Sequence, residues 1–216
     1  FYAVFMEKII LQTPDNIKIS GNYLSIPGAI AAVLLLHMMP ATKESYRQFQ
    51  EELSKNLIAS LAIDLRGHGE SELDYRKFQN EDHQKSLLDA ETAIKFLQQK
   101  KFSKNQIRIV GASIGANITL QLLAKDHDLK RGIALSPGLD YRGVMTEFAA
   151  EQIQLSQKIL IVGAEGDTYS SASSRKLSEI LGDQKSELII KEGAEHGTDM
   201  LGDMDVFKKV TDFLVK

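Results

Sequence analysis

The chain contains no cysteine. Disulfides, thiolate nucleophiles and zinc–thiolate sites are therefore excluded. The lack fits a reducing cytoplasm, which is the expected location. Tryptophan is absent too, and the formal net charge is only −3. No lysine/arginine cluster stands apart from the mixed-sign segments. The chain thus has no general field to draw nucleic acid or an acidic membrane, and neither is expected as a partner. No apolar run approaches the ~20 residues that span a bilayer. The longest, residues 29–36, has strand length. No repeat, low-complexity tract or Pro/Gly/Ser-rich linker divides the sequence. The 216 residues therefore read as one domain, 1–216. The five residues before Met6 read either as an added segment or as the remnant of a longer export segment.

What is present is an alternation of short buried strands and amphipathic helices. "EKIILQT" and "NIKISGNYLSI", separated by the turn "TPDN", predict an opening hairpin. "AAVLLLH" is a continuous apolar run, the mark of a strand covered on both faces, and "ASLAID" reads as another buried strand. "QIRIVG", "RGIALS", "KILIVG" and "SELIIK" add four more strands. Helices are predicted over residues 43–55, 82–100, 114–125, 169–181 and 204–215, with a short one within 143–151. This order predicts an α/β fold of roughly eight strands, mostly parallel, with helices on both faces. Only residues 132–157 separate two adjacent strands, too few for a cap domain.

One junction carries chemistry. Gly111-Ala112-Ser113-Ile114-Gly115 lies between the strand "QIRIVG" and the helix "IGANITLQLLAK". Acyl transfer to a hydroxyl needs an exposed serine, a base and donors for the developing oxyanion. A sharp strand-to-helix turn lifts Ser113 out of the sheet, and glycines two residues to either side avoid collisions there. The simpler reading makes Ser113 a helix cap. A strand before and a helix after favour the nucleophile.

In this architecture the acid and then the base follow the serine in sequence. His196 lies just after the last strand and Asp167 just after the preceding one, at the rim where open α/β sheets bind ligands. Asp140 is a rival acid and Glu165 a third. His37 and His68 precede the serine, His83 opens a helix, and His127 ends one between Asp126 and Asp128.

"LLLHMMP", "DLRGHGES", "GASIG", "GAEGDTYS" and "GAEHGTDML" occur in that order. On these segments the sequence resembles the α/β-hydrolase superfamily of serine hydrolases over nearly its whole length, on the esterase and dienelactone-hydrolase-like side. The resemblance implies a triad of Ser113, Asp167 and His196, and an oxyanion hole from the backbone amides of Ile114 and Met39, with Met38 as the fallback. Many members have His-Gly-X where this chain has His37-Met38-Met39. The methionines offer flexible apolar surface, and Met38 is a candidate for substrate contact. Asp64, Arg66, Gly67, His68 and Gly69 are implied to shape a turn beside the site. No metal or organic cofactor is implied. The expected activity is hydrolysis of a small-molecule ester through an acyl-enzyme, by a monomer or homodimer. Peptidase, thioesterase or lipase chemistry on the same triad is the alternative, as is a non-catalytic binding protein on this scaffold. Dienelactone hydrolases proper use a cysteine nucleophile, which this chain lacks.

Overall fold

The computed structural model describes residues 5–215. The reading of the first residues as added or trimmed falls on positions outside that range, apart from Phe5, which opens the first strand. Two strands, β1 (Phe5–Gln12) and β2 (Lys18–Ser25), form the expected antiparallel hairpin. The chain then runs through β3 (Ala31–Leu36), α1 (Arg47–Lys55), β4 (Ile58–Ile63), α2 (Asn80–Gln84), α3 (Ser86–Gln99), β5 (Ile107–Ala112), α4 (Ile114–Lys125) and β6 (Arg131–Leu135). A small hairpin of β7 (Asp140–Tyr141) and β8 (Val144–Met145) follows, then α5 (Glu147–Gln152). The chain closes with β9 (Lys158–Ala164), α6 (Thr168–Leu181), β10 (Ser186–Lys191) and α7 (Met204–Val215).

Eight strands form one sheet in the order β1-β2-β4-β3-β5-β6-β9-β10. The pairs β1/β2 and β2/β4 are antiparallel and all others are parallel. Every residue of β3 and β4 is buried, as in strands covered on both faces, and the one polar member, Ser60 of β4, accepts from the Gln50 side chain at 3.0 Å. From β3 the chain steps one way to β4, then back across to β5, β6, β9 and β10. Right-handed crossovers put helices made in opposite directions on opposite faces. Accordingly Tyr46, Phe49 and Leu53 around α1 share one core with Val33, Leu35, Val110 and the α7 residues Val206 and Val210. Ala90 and Ala93 of α3, Ile118 of α4 and Leu177 of α6 share the other with Leu34, Leu36 and Ile109. Strand residues alternate between the two cores because neighbouring side chains point to opposite faces. The change of direction falls between β3 and β5, which places the ligand crevice beside the end of β5.

Three local predictions are corrected. Residues 82–100 are not one helix. The chain is helical from Asn80 and restarts at Ser86, with Leu88 N–H bonding back three residues to Lys85. Residues 43–46 form a 3₁₀ turn before α1, where buried Lys43 turns in to the Asp64 carboxylate. The segment between β6 and β9 holds the β7–β8 hairpin as well as the expected short helix. The hairpin is tied to α4. The Asn117 side chain accepts from Gly138 N–H at 3.0 Å and donates to the Val144 carbonyl at 2.6 Å. Among the described residues, no helix is long and apolar enough to cross a membrane.

Candidate active site

Ser113 sits at φ 53° and ψ −117°. A non-glycine residue there stores strain on the order of 1–3 kcal/mol, kept only where the surroundings enforce it. They do so here. Ser113 N–H donates to Leu135 O at 2.8 Å, holding the residue to β6. Its carbonyl accepts from Ala116 N–H at 2.9 Å and Asn117 N–H at 3.1 Å, starting α4. The hydroxyl makes no capping bond to the helix, so the simpler reading of Ser113 fails. Both glycines answer to contacts. A Cβ on Gly111 would overlap the Gly115 carbonyl and the Thr119 hydroxyl, and one on Gly115 would overlap the Leu36 carbonyl. The pair lets the first turn of α4 lie directly on β5 and on the end of β3.

Asp167 follows β9 at the N-terminal position of α6, yet its carboxylate does not cap that helix. Instead Asp167 Oδ2 lies 2.6 Å from His196 Nδ1. This pairing assigns the proton to Nδ1 and leaves Nε2 as the basic nitrogen. Gly166 makes the approach possible. Its N–H donates to Gly193 O at 2.7 Å, and a Cβ there would press on Gly193 and Ala194. Beyond the histidine, Gly197 at φ 59° donates its N–H to Ser136 Oγ at 2.8 Å. A Cβ on Gly197 would meet the Met38 sulfur and come within 3.3 Å of the Ala112 Cβ. The His196 loop therefore lies over the end of β5, next to Ser113. Among the described residues no hydrogen bond joins Ser113 to His196. The rival acids are engaged elsewhere. Asp140 is exposed and its Oδ1 accepts from Gly143 N–H at 2.7 Å, closing the β7–β8 turn. Glu165 pairs with Arg175 at 2.6 Å.

His37, Met38 and Met39 follow β3. Leu65 N–H donates to His37 Nε2 at 3.0 Å, so the neutral ring carries its proton on Nδ1 and donates it to Met38 O at 2.8 Å. Burial, with His68 alongside, holds the His37 pKa down at about 4. In a planar trans peptide the N–H points opposite to the carbonyl. The Met39 N–H thus points away from the His37 ring, and no hydrogen bond from that amide is found among the described residues. Ile114 N–H belongs to the first turn of α4 and has no intrahelical acceptor. The Met38 side chain packs toward Gly197 and the α1/α7 core, and Met39 packs on the opposite core.

The "DLRGHGES" residues build the neighbouring turn. Asp64 is fully buried and accepts from Lys43 N–H at 2.8 Å, Lys43 Nζ at 2.7 Å and Glu70 N–H at 2.9 Å. Arg66 bridges buried Asp89 and half-exposed Asp15, both at 2.8 Å. His68 stacks on Tyr75 with ring centroids 4.3 Å apart and meets His37 edge-on at 5.0 Å. A Cβ on Gly69 would overlap the Asp64 carboxylate, and one on Gly67 would meet Tyr75.

Two residues at this rim escape sequence reasoning. Ser136, at the end of β6, is fully buried at φ 51° and holds the Gly197 amide. Tyr141 sets its ring edge-on to His196, with centroids 6.2 Å apart. No motif marks either, because each acts through a neighbour brought in from elsewhere in the chain. Among the described residues, no group of three or more His, Asp or Glu is placed to hold a metal ion.

A strained serine elbow at the end of a central strand, in a sheet of this order, is the architecture of an α/β hydrolase. Residues 28–160, more than half of the chain, match the model of the S33 serine aminopeptidase family, and the chain belongs to this family of α/β-hydrolase serine hydrolases. The matched segment contains Ser113 and ends before Asp167 and His196. No curated protein matches the sequence significantly. The structure is similar to an esterase of Pyrococcus furiosus, with a TM-score of 0.79 and 19% identity, covering 98% of this chain and 90% of that one. It is also similar to a dienelactone hydrolase of Anabaena variabilis, with a TM-score of 0.74 and 18% identity over 98% and 95% of the two chains. A 2,6-dihydroxy-pseudo-oxynicotine hydrolase gives a TM-score of 0.80 at 16% identity, over 97% of this chain and 67% of that longer one. At these identities the likeness is one of fold.

Proposed function

We propose that the protein is a serine carboxylesterase of small, unhindered esters. One observation carries the reading: the Asp167–His196 pair, 2.6 Å apart, and the non-capping Ser113 lie on one rim of the sheet. In this mechanism His196 Nε2 takes the Ser113 proton as Oγ attacks the ester carbonyl, the contact between them closing as substrate binds. Asp167 holds the imidazole in the required tautomer and stabilises its cation. The amides of Ile114 and Met39 receive the oxyanion, helped by the positive end of α4. Met38 borders the acyl group. The alcohol departs, and water activated by His196 cleaves the acyl-enzyme.

An aminopeptidase reading on the same triad is favoured by the chain's membership of the S33 serine aminopeptidase family. The esterase reading draws on the structural likeness to an esterase and a dienelactone hydrolase. A fluorophosphonate probe should label the native protein and leave Ser113→Ala unlabelled. Equal labelling of both would remove Ser113 as nucleophile, and no labelling of either would favour a non-catalytic scaffold. A panel of p-nitrophenyl esters of rising chain length, with thioesters and aminoacyl anilides, then decides the bond. Turnover of anilides without esters would replace esterase by peptidase.

A further inference from the structure

The hairpin between β6 and β9 delivers one side chain to the reaction centre. Its backbone is fixed at every turn. Asn117 holds Gly138 and Val144. The Thr146 hydroxyl donates to Gly138 O at 2.8 Å. The Tyr169 hydroxyl accepts from Asp140 N–H at 2.9 Å and sits 3.0 Å from Asp140 O, and Ser173 Oγ accepts from Leu139 N–H at 3.2 Å. Such a frame presents the next side chain, Tyr141, in one place. Its ring stands edge-on between Tyr169, at 5.6 Å, and His196. Its hydroxyl donates to Ser136 O over a long 3.3 Å, and the Ser113 and Ser170 side chains face it.

The site has two sides. The Ile114 and Met39 amides belong to the β3 side of Ser113, while Tyr141 comes from the β6 side, where His196 lies. In a tetrahedral adduct on Ser113, the oxyanion turns to the amides. The other substrate oxygen, the one that leaves, must face His196 to be protonated. We propose that Tyr141 is a catalytic residue whose hydroxyl hydrogen-bonds the leaving-group oxygen as the acyl–oxygen bond breaks. This rests on the Ser113–His196–Asp167 reading above.

The step balances without a further reactant. The carbon–oxygen bond breaks and its electron pair stays on the leaving oxygen. The proton on His196 Nε2 moves to that oxygen, and Tyr141 keeps its own proton throughout. The phenol suits a donor and not a base, because burial, with the Asp167 charge nearby, pushes its pKa up. Its bond to Ser136 O is long enough to be exchanged for a shorter one to a charged oxygen.

The test is Tyr141→Phe, which keeps the ring contacts and removes only the hydroxyl. Wild type and variant are compared on p-nitrophenyl, phenyl, trifluoroethyl and ethyl acetate, which share an acyl group and span good to poor leaving groups. A donor to the leaving oxygen matters most when that oxygen is most basic. The expected loss in kcat/KM grows along the series, from about twofold to about 10–100-fold, the range for a hydrogen bond to a charged group. Stoichiometric fluorophosphonate labelling of the variant and an unshifted melting temperature show that fold and triad are intact. Equal losses across the four esters, no loss at all, or loss of labelling would overturn the proposal, the last by showing a purely structural role. If wild type is labelled at Ser113 and hydrolyses the series while the variant shows no slope, the tyrosine proposal alone fails. If wild type takes no probe and hydrolyses none of them, the triad reading fails and this one with it.

Discussion

Ser136 Oγ accepts the Gly197 amide at 2.8 Å, one residue beyond His196. The bond fixes the base loop to the end of β6, the strand that also holds Ser113 through Leu135. Ser136→Ala leaves a buried N–H without its acceptor, at a cost of about 1–3 kcal/mol. The His196 ring is then less well placed, so kcat should fall about 10-fold with KM changed less than about twofold. Steady-state kinetics and urea unfolding of the variant check both. A loss confined to stability would show that the bond does not position the base.

Gly111→Ala and Gly115→Ala should each destabilise the protein by more than about 3 kcal/mol, the scale of overpacking at its upper end. Helix propensity alone predicts the opposite sign at Gly115, a gain of about 1 kcal/mol for alanine in a helix. Contact with the Leu36 carbonyl decides against it. Urea melts of the two variants read the sign directly.

Asp167→Asn presents an amide N–H to His196 Nδ1 and selects the tautomer with its proton on Nε2. That tautomer cannot accept from Ser113. A fall in kcat of about 10³–10⁴-fold is expected, as when triad geometry is kept with the wrong tautomer. Asp140→Asn keeps an acceptor for Gly143 N–H and should leave kcat within about threefold. A reversal of the two results would move the acid to Asp140. Kinetics on one ester suffice.

Stability should fall as the pH drops from about 6.5 to about 4. The His37 ring is buried neutral, with its folded pKa held at about 4, while the unfolded chain takes up that proton near 6.5. Within this window the unfolded state binds more protons, so stability rises with pH, by at most about 1.4 kcal/mol per pH unit from this group. His68 is shifted down by burial in the same sense. Urea unfolding at half-unit steps should show the slope, and His37→Asn should reduce it. An unchanged slope in the variant would assign the effect to other groups.

Most of the fold is legible in the sequence because burial on both faces leaves an unmistakable trace. β3 is an unbroken apolar run, β4 is interrupted only by Ser60, and Phe49 and Leu53 of α1 recur at helical spacing. Boundaries set by single side chains are not legible. The 3₁₀ turn at residues 43–46 accommodates Lys43 reaching Asp64, a partner 21 residues on. The β7–β8 hairpin depends on Asn117, which lies within a helix and carries no turn signal of its own.

The sequence by itself determined the order of strands and helices, the serine elbow between two glycines, and an acid and a histidine each just past a strand end. These follow from local patterns of burial, propensity and steric freedom. Only the tertiary structure decided that the Asp167 carboxylate turns to His196 and not to its own helix, that the Ser113 hydroxyl makes no capping bond, and that Asp140 closes a turn. It also decided that Ser136 and Tyr141 stand at the same rim. Each of these is a contact between residues distant in sequence, fixed by which strands lie side by side and by glycines that let loops touch.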